Sequence, residues 1–362
     1  MSSLSSFRLP RSLVLPQTGD KPLDPEPVQK WAEEGFAVIG VTASSPGFSL
    51  EHTLQKGIEA LLSLKELDTN DKIAILVYDA KLVNAVARAI PNDPRLVCLI
   101  LYGSGVTGPS TVPTLSHFPA SVNKDTPSPL NPVHIYTSAS PNFVLPHTAE
   151  YDPGNAALAH SRSLPFLRKW LGGPMFDLEA IWDEHCYFEF DVRSVAKTMG
   201  TMVEEPYVNH VPTMTGGIGR QRLTAFYRDH FIFSNPPDMG MQPVSRTVGS
   251  DRIVDEFIAT LTHDRVIDWL LPGVPASGKK LAIPMIAVVN VRGDRLYNEH
   301  IWWDQATALR QAGVLPTHLP YPNSESSRML RLPVAGVESA NMLVDEANGI
   351  SNEMFSSEWG VH

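Results

Sequence analysis

Cysteine is nearly absent from this chain: Cys98 and Cys186 are the only two in 362 residues. Two scattered thiols exclude a disulfide framework and a thiolate zinc centre. Basic residues are also scarce, with 29 Lys and Arg against 39 Asp and Glu and a net charge of −10. That balance argues against a nucleic-acid backbone or an anionic membrane surface as partner. Long apolar runs are missing too. The longest, such as 96–102, is strand-sized and far short of the about 20 residues that span a bilayer. Residues 1–10 lack the continuous apolar segment that secretion requires, and no repeat is visible. These absences together lead us to expect a cytoplasmic protein. What is present suffices for real cores, since 43% of the residues are apolar. At about 150 residues per domain the length suggests two domains. The 31 prolines cluster at 10–27, 109–146, 236–243 and 316–333, marking loops between ordered stretches.

Strand-like and helix-like stretches alternate along the first half. Residues 12–16 (SLVLP) form a short apolar run, and the polar stretch 27–34 stops at Gly35 as a helix does. The β-branched run 36–42 (FAVIGVT) predicts a strand buried on both faces. Leu54, Ile58, Leu61 and Leu62 share one helical face within 50–67. Further strands are expected at 73–78, 96–102 and 133–137, and helices at 81–90 and 155–171, the last stopped by Gly172-Gly173-Pro174. The pattern predicts a three-layer α/β sandwich over 1–173, its parallel sheet covered on both faces.

The second half changes character. Consecutive helices are expected at 178–190 and 192–201, a short strand at 206–211 and a helix at 220–232. Long alternating segments follow at 244–248, 252–263, 281–291 and 296–303. Helices followed by antiparallel strands predict an α+β domain over 174–316, with helices on one face of a curved sheet. Residues 317–362 read as a loop-rich extension with one short helix at 337–346 and a loosely held tail.

Several ionisable residues fall where chemistry is possible. Alternation along 252–263 places Asp255 and His263 on an otherwise apolar face. Along 296–303 it separates Asn298, His300, Trp302 and Asp304 from Glu299, Ile301 and Trp303. The first of these sides is taken as the pocket side. Tryptophan beside Asp or His tunes that group by desolvation for proton abstraction next to a carbonyl. Asp304 also stands where the N-cap of a helix over 306–311 belongs. His185 and Glu189 are four apart on one helix face. With His210 or His300 they have the makings of a metal site, but no His-Glu-x-x-His motif is present and no metal is expected. Gly216-Gly217-Ile218-Gly219 reads as a turn and lacks the spacing of a dinucleotide loop.

Four stretches of the second half carry a family resemblance. They are Tyr207-Val208-Asn209-His210-Val211-Pro212, the segment 251–263 ending in Leu261-Thr262-His263, the hairpin Leu271-Pro272-Gly273-Val274-Pro275, and Glu299-His300-Ile301-Trp302-Trp303-Asp304-Gln305. In this order they resemble the SnoaL-like polyketide cyclases of the nuclear transport factor 2-like cone fold. The first half resembles a dienelactone hydrolase in truncated form, through Trp31-Ala32-Glu33-Glu34-Gly35-Phe36 and Arg162-Ser163-Leu164-Pro165-Phe166. The glycine-flanked nucleophile turn of that family is replaced by Val77-Tyr78-Asp79-Ala80-Lys81, and its histidine by Asn142, so this half reads as a degenerate hydrolase.

The cone resemblance implies a cofactor-independent acid–base enzyme for a small, apolar carbonyl substrate, polyketide-like or a lactone. His300 or Asp304 would remove the proton, and His210 and His263 would polarise or reprotonate the oxygen. His185, Tyr207, Asp255 and Trp302 would contact the substrate. The alternatives are a hydrolase acting through Asp79 and a non-catalytic ligand-binding cone. The resemblance also implies a homodimer through the outer sheet face, expected to carry Glu299, Ile301 and Trp303.

Overall fold

The computed structural model describes residues 3–8, 23–42, 49–89, 93–103, 105, 112–120, 130–137, 139–322 and 328–362. The run 12–16 lies outside them. The chain forms two compact units, Met1–Phe176 with Arg292–Asp294, and Asp177–Val291 with Arg295–His362.

The first unit comprises β1 (Ser3–Arg8), α1 (Pro27–Glu33), β2 (Ala37–Thr42), α2 (Leu50–Leu62), β3 (Ile73–Val77), α3 (Val83–Ala89), β4 (Leu96–Tyr102), β5 (Thr114–Pro119), β6 (Val133–Tyr136) and α4 (Pro153–Leu171). Its strands make one parallel sheet in the order β2-β1-β3-β4-β5-β6. Strand alternation divides the buried residues between two cores. Ala74, Leu76, Cys98 and Ile100 pack with Trp31, Phe36 and the α4 residues Ala156, Ala159, Leu164 and Leu167. Ile73, Ile75, Val77, Leu99 and Leu101 pack with Leu54, Ile58, Val83 and Val86 of α2 and α3. Three layers follow from this, because both faces of a parallel sheet must be covered. Strands β1 and β5 are additions to the sequence reading.

The second unit contains α5 (Leu178–Cys186), α6 (Val195–Gly200), β7 (Met202–His210), β8 (Thr215–Ile218), α7 (Arg220–Phe226), β9 (Gly240–Val248), β10 (Arg252–Thr262), β11 (Lys280–Arg292), β12 (Arg295–Trp303), α8 (Gln305–Ala312), β13 (His318–Pro320), β14 (Met329–Arg331), α9 (Glu338–Val344) and β15 (Gly360–Val361). Its main sheet runs β8-β7-β12-β11-β10-β9. The pairs β7–β8, β9–β10 and β10–β11 are antiparallel, whereas β7 and β12 are parallel. Helix α5 packs on β10 and β12, and α7 on β7 and β8.

Both α5 and α7 run on into a π-helical turn, Tyr187–Asp191 and Tyr227–Phe231. The helix expected over 192–201 shortens to α6, because Arg193 adopts a left-handed φ of 53° that no helix accommodates. Gly216, at φ 132°, lies against the backbone of Val208 with no room for a Cβ. The glycines around it therefore permit close pairing of β7 and β8. The C-terminal end is held, contrary to the loose tail expected. Strand β15 pairs with β14, and the Arg331 guanidinium lies 3.9 Å from the centre of the Trp359 ring.

Candidate functional site

A charged triad lies buried in the second unit. Asp177 caps α5 by accepting from Ala180 N, and the helix carries His185 inward one turn before Glu189 of the π turn. Strand β12 brings Glu299 to the same place. His185, Glu189 and Glu299 are all 3% exposed or less. His185 Nε2 lies 3.0 Å from Glu189 Oε1 and 3.2 Å from Glu299 Oε1. The ring stacks on Trp182 at 5.7 Å, and the Tyr227 hydroxyl lies 3.4 Å from Nε2.

Hydrogen-bond direction fixes the charge of His185. The Thr201 hydroxyl donates to Thr198 O at 2.8 Å, so it accepts from His185 Nδ1 at 2.6 Å. Nε2 faces carboxylates and donates as well, and a ring donating from both nitrogens is an imidazolium. Burial alone would depress its pKa. The charges of Glu189 and Glu299 and their hydrogen bonds more than offset this and push it up to about 10. Burial pushes Glu299 above the usual carboxylate range, partly countered by His185. Of the two carboxylates, Glu189 makes the better-aligned contact with Nε2–H, and Glu299 Oε1 the longer one. The three residues also present ligand atoms within 4.8 Å of one another, a spacing a divalent ion accepts. A divalent ion at Nε2 would have to displace its proton, in competition with the raised pKa.

Glu189 and Glu299, backed by His185, close the floor of an apolar cavity of about 40 Å³. Trp182, Phe190, Tyr227, Phe231, Phe257 and Trp269 form its aromatic walls; Glu189 and Glu299 are its acids. Met239, Met241 and Met285 also line it. A cavity of ~150 Å³ is what admits benzene, so a ring-sized ligand requires these flexible thioethers to move aside. Burial pushes the Cys186 thiol up, so this cavity residue stays a thiol and not a nucleophilic thiolate.

His210 is 3% exposed and also lines the cavity. Burial drives its pKa down to about 3, so it is neutral. Among the described residues, the other sequence candidates stand outside the cavity wall except for His185, which supports it from behind. Asp255 accepts from Trp182 Nε1 at 2.8 Å and from the Arg246 fork at 2.6 and 2.8 Å. Through Trp182 it holds a wall of the site. His263 is buried, and its Nδ1 lies 3.0 Å from Ser277 Oγ, fastening the 263–279 loop.

The phase of β12 corrects the sequence reading. Glu299 and Ile301 face the cavity, and Trp303 is buried on the same side. His300 and Trp302 point away, His300 edge-on to Tyr207 at 5.5 Å and Trp302 48% exposed. The triad's third member is thus Glu299, not His210 or His300. Asp304 caps α8, accepting from Ala306 N and from Thr307 N and Oγ1. Asp304→Ala should cost about 1 kcal/mol by urea denaturation, the usual worth of such a cap. A loss below a few tenths would show that the cap is idle.

In the first unit Asp79 accepts from the Lys81 backbone amide at 2.8 Å, a local turn. Asn142 donates to Glu150. Ser163 lies 2.9 Å from His117 Nε2, but the serine is fully buried and donates to Ala159 O at 2.7 Å. Among the described residues, no helix is long and apolar enough to cross a membrane.

No family model and no curated protein matches the chain. Solved structures do match part of it. A protein described as a SnoaL-like polyketide cyclase from Jannaschia sp. CCS1 is 18% identical over 40% of this chain and 100% of its own, with a TM-score of 0.31. An NTF2-like protein of unknown function from Burkholderia pseudomallei is 17% identical over 38% and 98%, with a TM-score of 0.30. A hypothetical protein with a ketosteroid isomerase-like fold from Catenulispora acidiphila is 11% identical over 37% and 93%, also at 0.30.

Proposed function

We propose that the second unit is a cofactor-independent acid–base enzyme that moves a proton beside the carbonyl of a small, largely apolar compound. The observation that carries this reading is the buried imidazolium held between two carboxylates at the floor of an apolar cavity. Glu299 is the base. Its raised pKa makes it a stronger proton acceptor than an exposed carboxylate. His185 keeps a positive charge behind it, so the carboxylate and its protonated form are both tolerated in the low-dielectric floor. Glu189 directs the imidazolium. Tyr227, held as a phenol by burial and hydrogen-bonded to Glu189, helps hold that carboxylate at the cavity wall. One carboxylate that takes a proton and returns it at a second carbon supports isomerisation, and the same enolate serves cyclisation or dehydration.

The test is exchange of the α-hydrogens of small ketones and lactones in D2O, followed by proton NMR. Exchange faster than buffer is the expected result, and no acceleration with any of them would remove the proposal. The rate should rise with pH as Glu299 ionises, above the ordinary carboxylate value of 4.5, and fall as His185 loses its proton near pH 10. A profile that is flat between pH 4 and 11 would contradict these roles.

We read the first unit as a truncated hydrolase relative whose Asp79 serves a turn. Dimerisation is part of the same proposal, through the outer sheet face of the second unit. Ile286 and Trp302, on that face, are 42% and 48% exposed. Light scattering should give twice the chain mass, and Trp302→Glu should halve it. A wild-type protein at the single-chain mass would end the dimer proposal.

A further inference from the structure

We infer that His210 is a specificity-determining residue of the cavity: its Nδ1 accepts a hydrogen bond from a hydroxyl or N–H on the ligand. The substrate therefore carries such a donor at the end away from the reacting C–H. The identification of that C–H rests on the proposed proton transfer at Glu299.

His210 ends β7 inside an aromatic enclosure, with ring centres of Trp269, Phe231, Phe226 and Trp303 at 4.9, 5.4, 5.5 and 6.0 Å. Burial in such surroundings keeps the imidazole neutral at any ordinary pH. A neutral imidazole has one donor and one acceptor. Its hydrogen bond to the backbone of Thr215, its partner across the β7–β8 pair, is one that favours the protonated ring, so His210 is the donor there. Nδ1 has no partner. A lone pair buried among aromatic rings without a donor is costly, and most buried polar atoms in folded proteins are paired. The cavity that His210 lines is where a donor would come from.

The sheet register positions this acceptor relative to Glu299. Glu299 lies beside Val208, and Ile301 beside His210. The two polar groups thus sit one pleat repeat apart on adjacent strands, about 6–7 Å along the strand direction. Val208 and Ile301, both apolar and both on the wall, lie in the same stretch. A matching ligand puts its carbonyl-activated C–H at Glu299, lays an apolar body over Val208 and Ile301, and offers a proton donor to His210.

The probe pair is 4-hydroxyacetophenone and acetophenone, which differ by one hydroxyl opposite the acetyl group. Calorimetry or ligand-observed NMR should show at least a tenfold preference for the hydroxylated compound, since its absence leaves a buried acceptor unpaired. His210→Phe keeps the ring and removes the acceptor, and should erase the preference. In the wild-type protein, the ¹⁵N resonance of His210 Nδ1 should shift with 4-hydroxyacetophenone and stay in place with acetophenone, a readout that needs no variant. Equal affinities, or a preference that survives His210→Phe, would overturn the inference. Methyl deuterium exchange of the same compounds reports on Glu299 alone. Missing exchange with an intact preference would sink the proton-transfer reading and leave the role of His210 standing.

Discussion

Glu299→Gln should lower α-proton exchange by about 10²–10⁴-fold, the usual worth of a positioned general base. The amide matches the carboxylate in shape but cannot take up a proton at neutral pH. The fold should survive the change, because the substitution removes one of two like charges that share a buried imidazolium. His185 and Glu189 then remain as a simple pair 3.0 Å apart. The variant should also lower the pKa of His185, since Glu299 is one of the two charges that raise it. That second effect is visible in the ¹⁵N spectrum without any substrate. A Glu299→Gln protein that exchanges at the wild-type rate would place the base elsewhere, and Glu189 would be the next residue to replace.

Glu299 is also the residue that sequence reasoning put on the wrong face, and the reason is physical. Both sides of β12 carry a tryptophan and an ionisable group: Glu299 and Trp303 on one, His300 and Trp302 on the other. Alternation identifies two faces but not which of them is buried. Pairing with β7 and β11 decides the phase, and those neighbours come from other parts of the chain. The helical half of the triad was easier to read, since His185 and Glu189 are four residues apart on one face. Their third partner lies more than a hundred residues away, and local spacing does not reach it. The π turns that place Glu189 and Tyr227 leave no mark in the apolar periodicity.

The layers of the fold were legible where patterning was strong. β3 and β4 are continuous apolar runs, β11 alternates over most of its thirteen residues, and β12 alternates over Glu299–Trp303. β5 was missed because Thr114–Pro119 (TLSHFP) sits in a proline-rich stretch and mixes polar residues into a strand buried throughout. β1 (SLSSFR) has almost no apolar signal, yet it pairs in parallel with both β2 and β3. In the C-terminal region, pairing of β15 with β14 orders a segment whose composition alone suggested a loose tail.

His185→Leu should destabilise the protein by about 3–5 kcal/mol at pH 7, because it strands two buried carboxylates without their cation. The pH dependence separates this from a simple packing loss. The pKa of His185 is raised in the folded protein, from 6.5 to about 10, so its stabilisation is complete below pH 6.5 and disappears as pH rises through 10. In the variant, Glu189 and Glu299 can escape the penalty only by taking up protons, which acid favours. The gap between variant and wild type should therefore narrow toward pH 4, and narrow again above pH 10 as the wild type loses its own imidazolium charge. Urea denaturation across that range measures both limbs. Replacing His185, Glu189 and Glu299 together with apolar residues should recover much of the loss, since removing a whole buried ion group is far less costly than breaking it. A His185→Leu penalty that is the same at pH 4, 7 and 10 would mean that packing, not charge, is what His185 contributes.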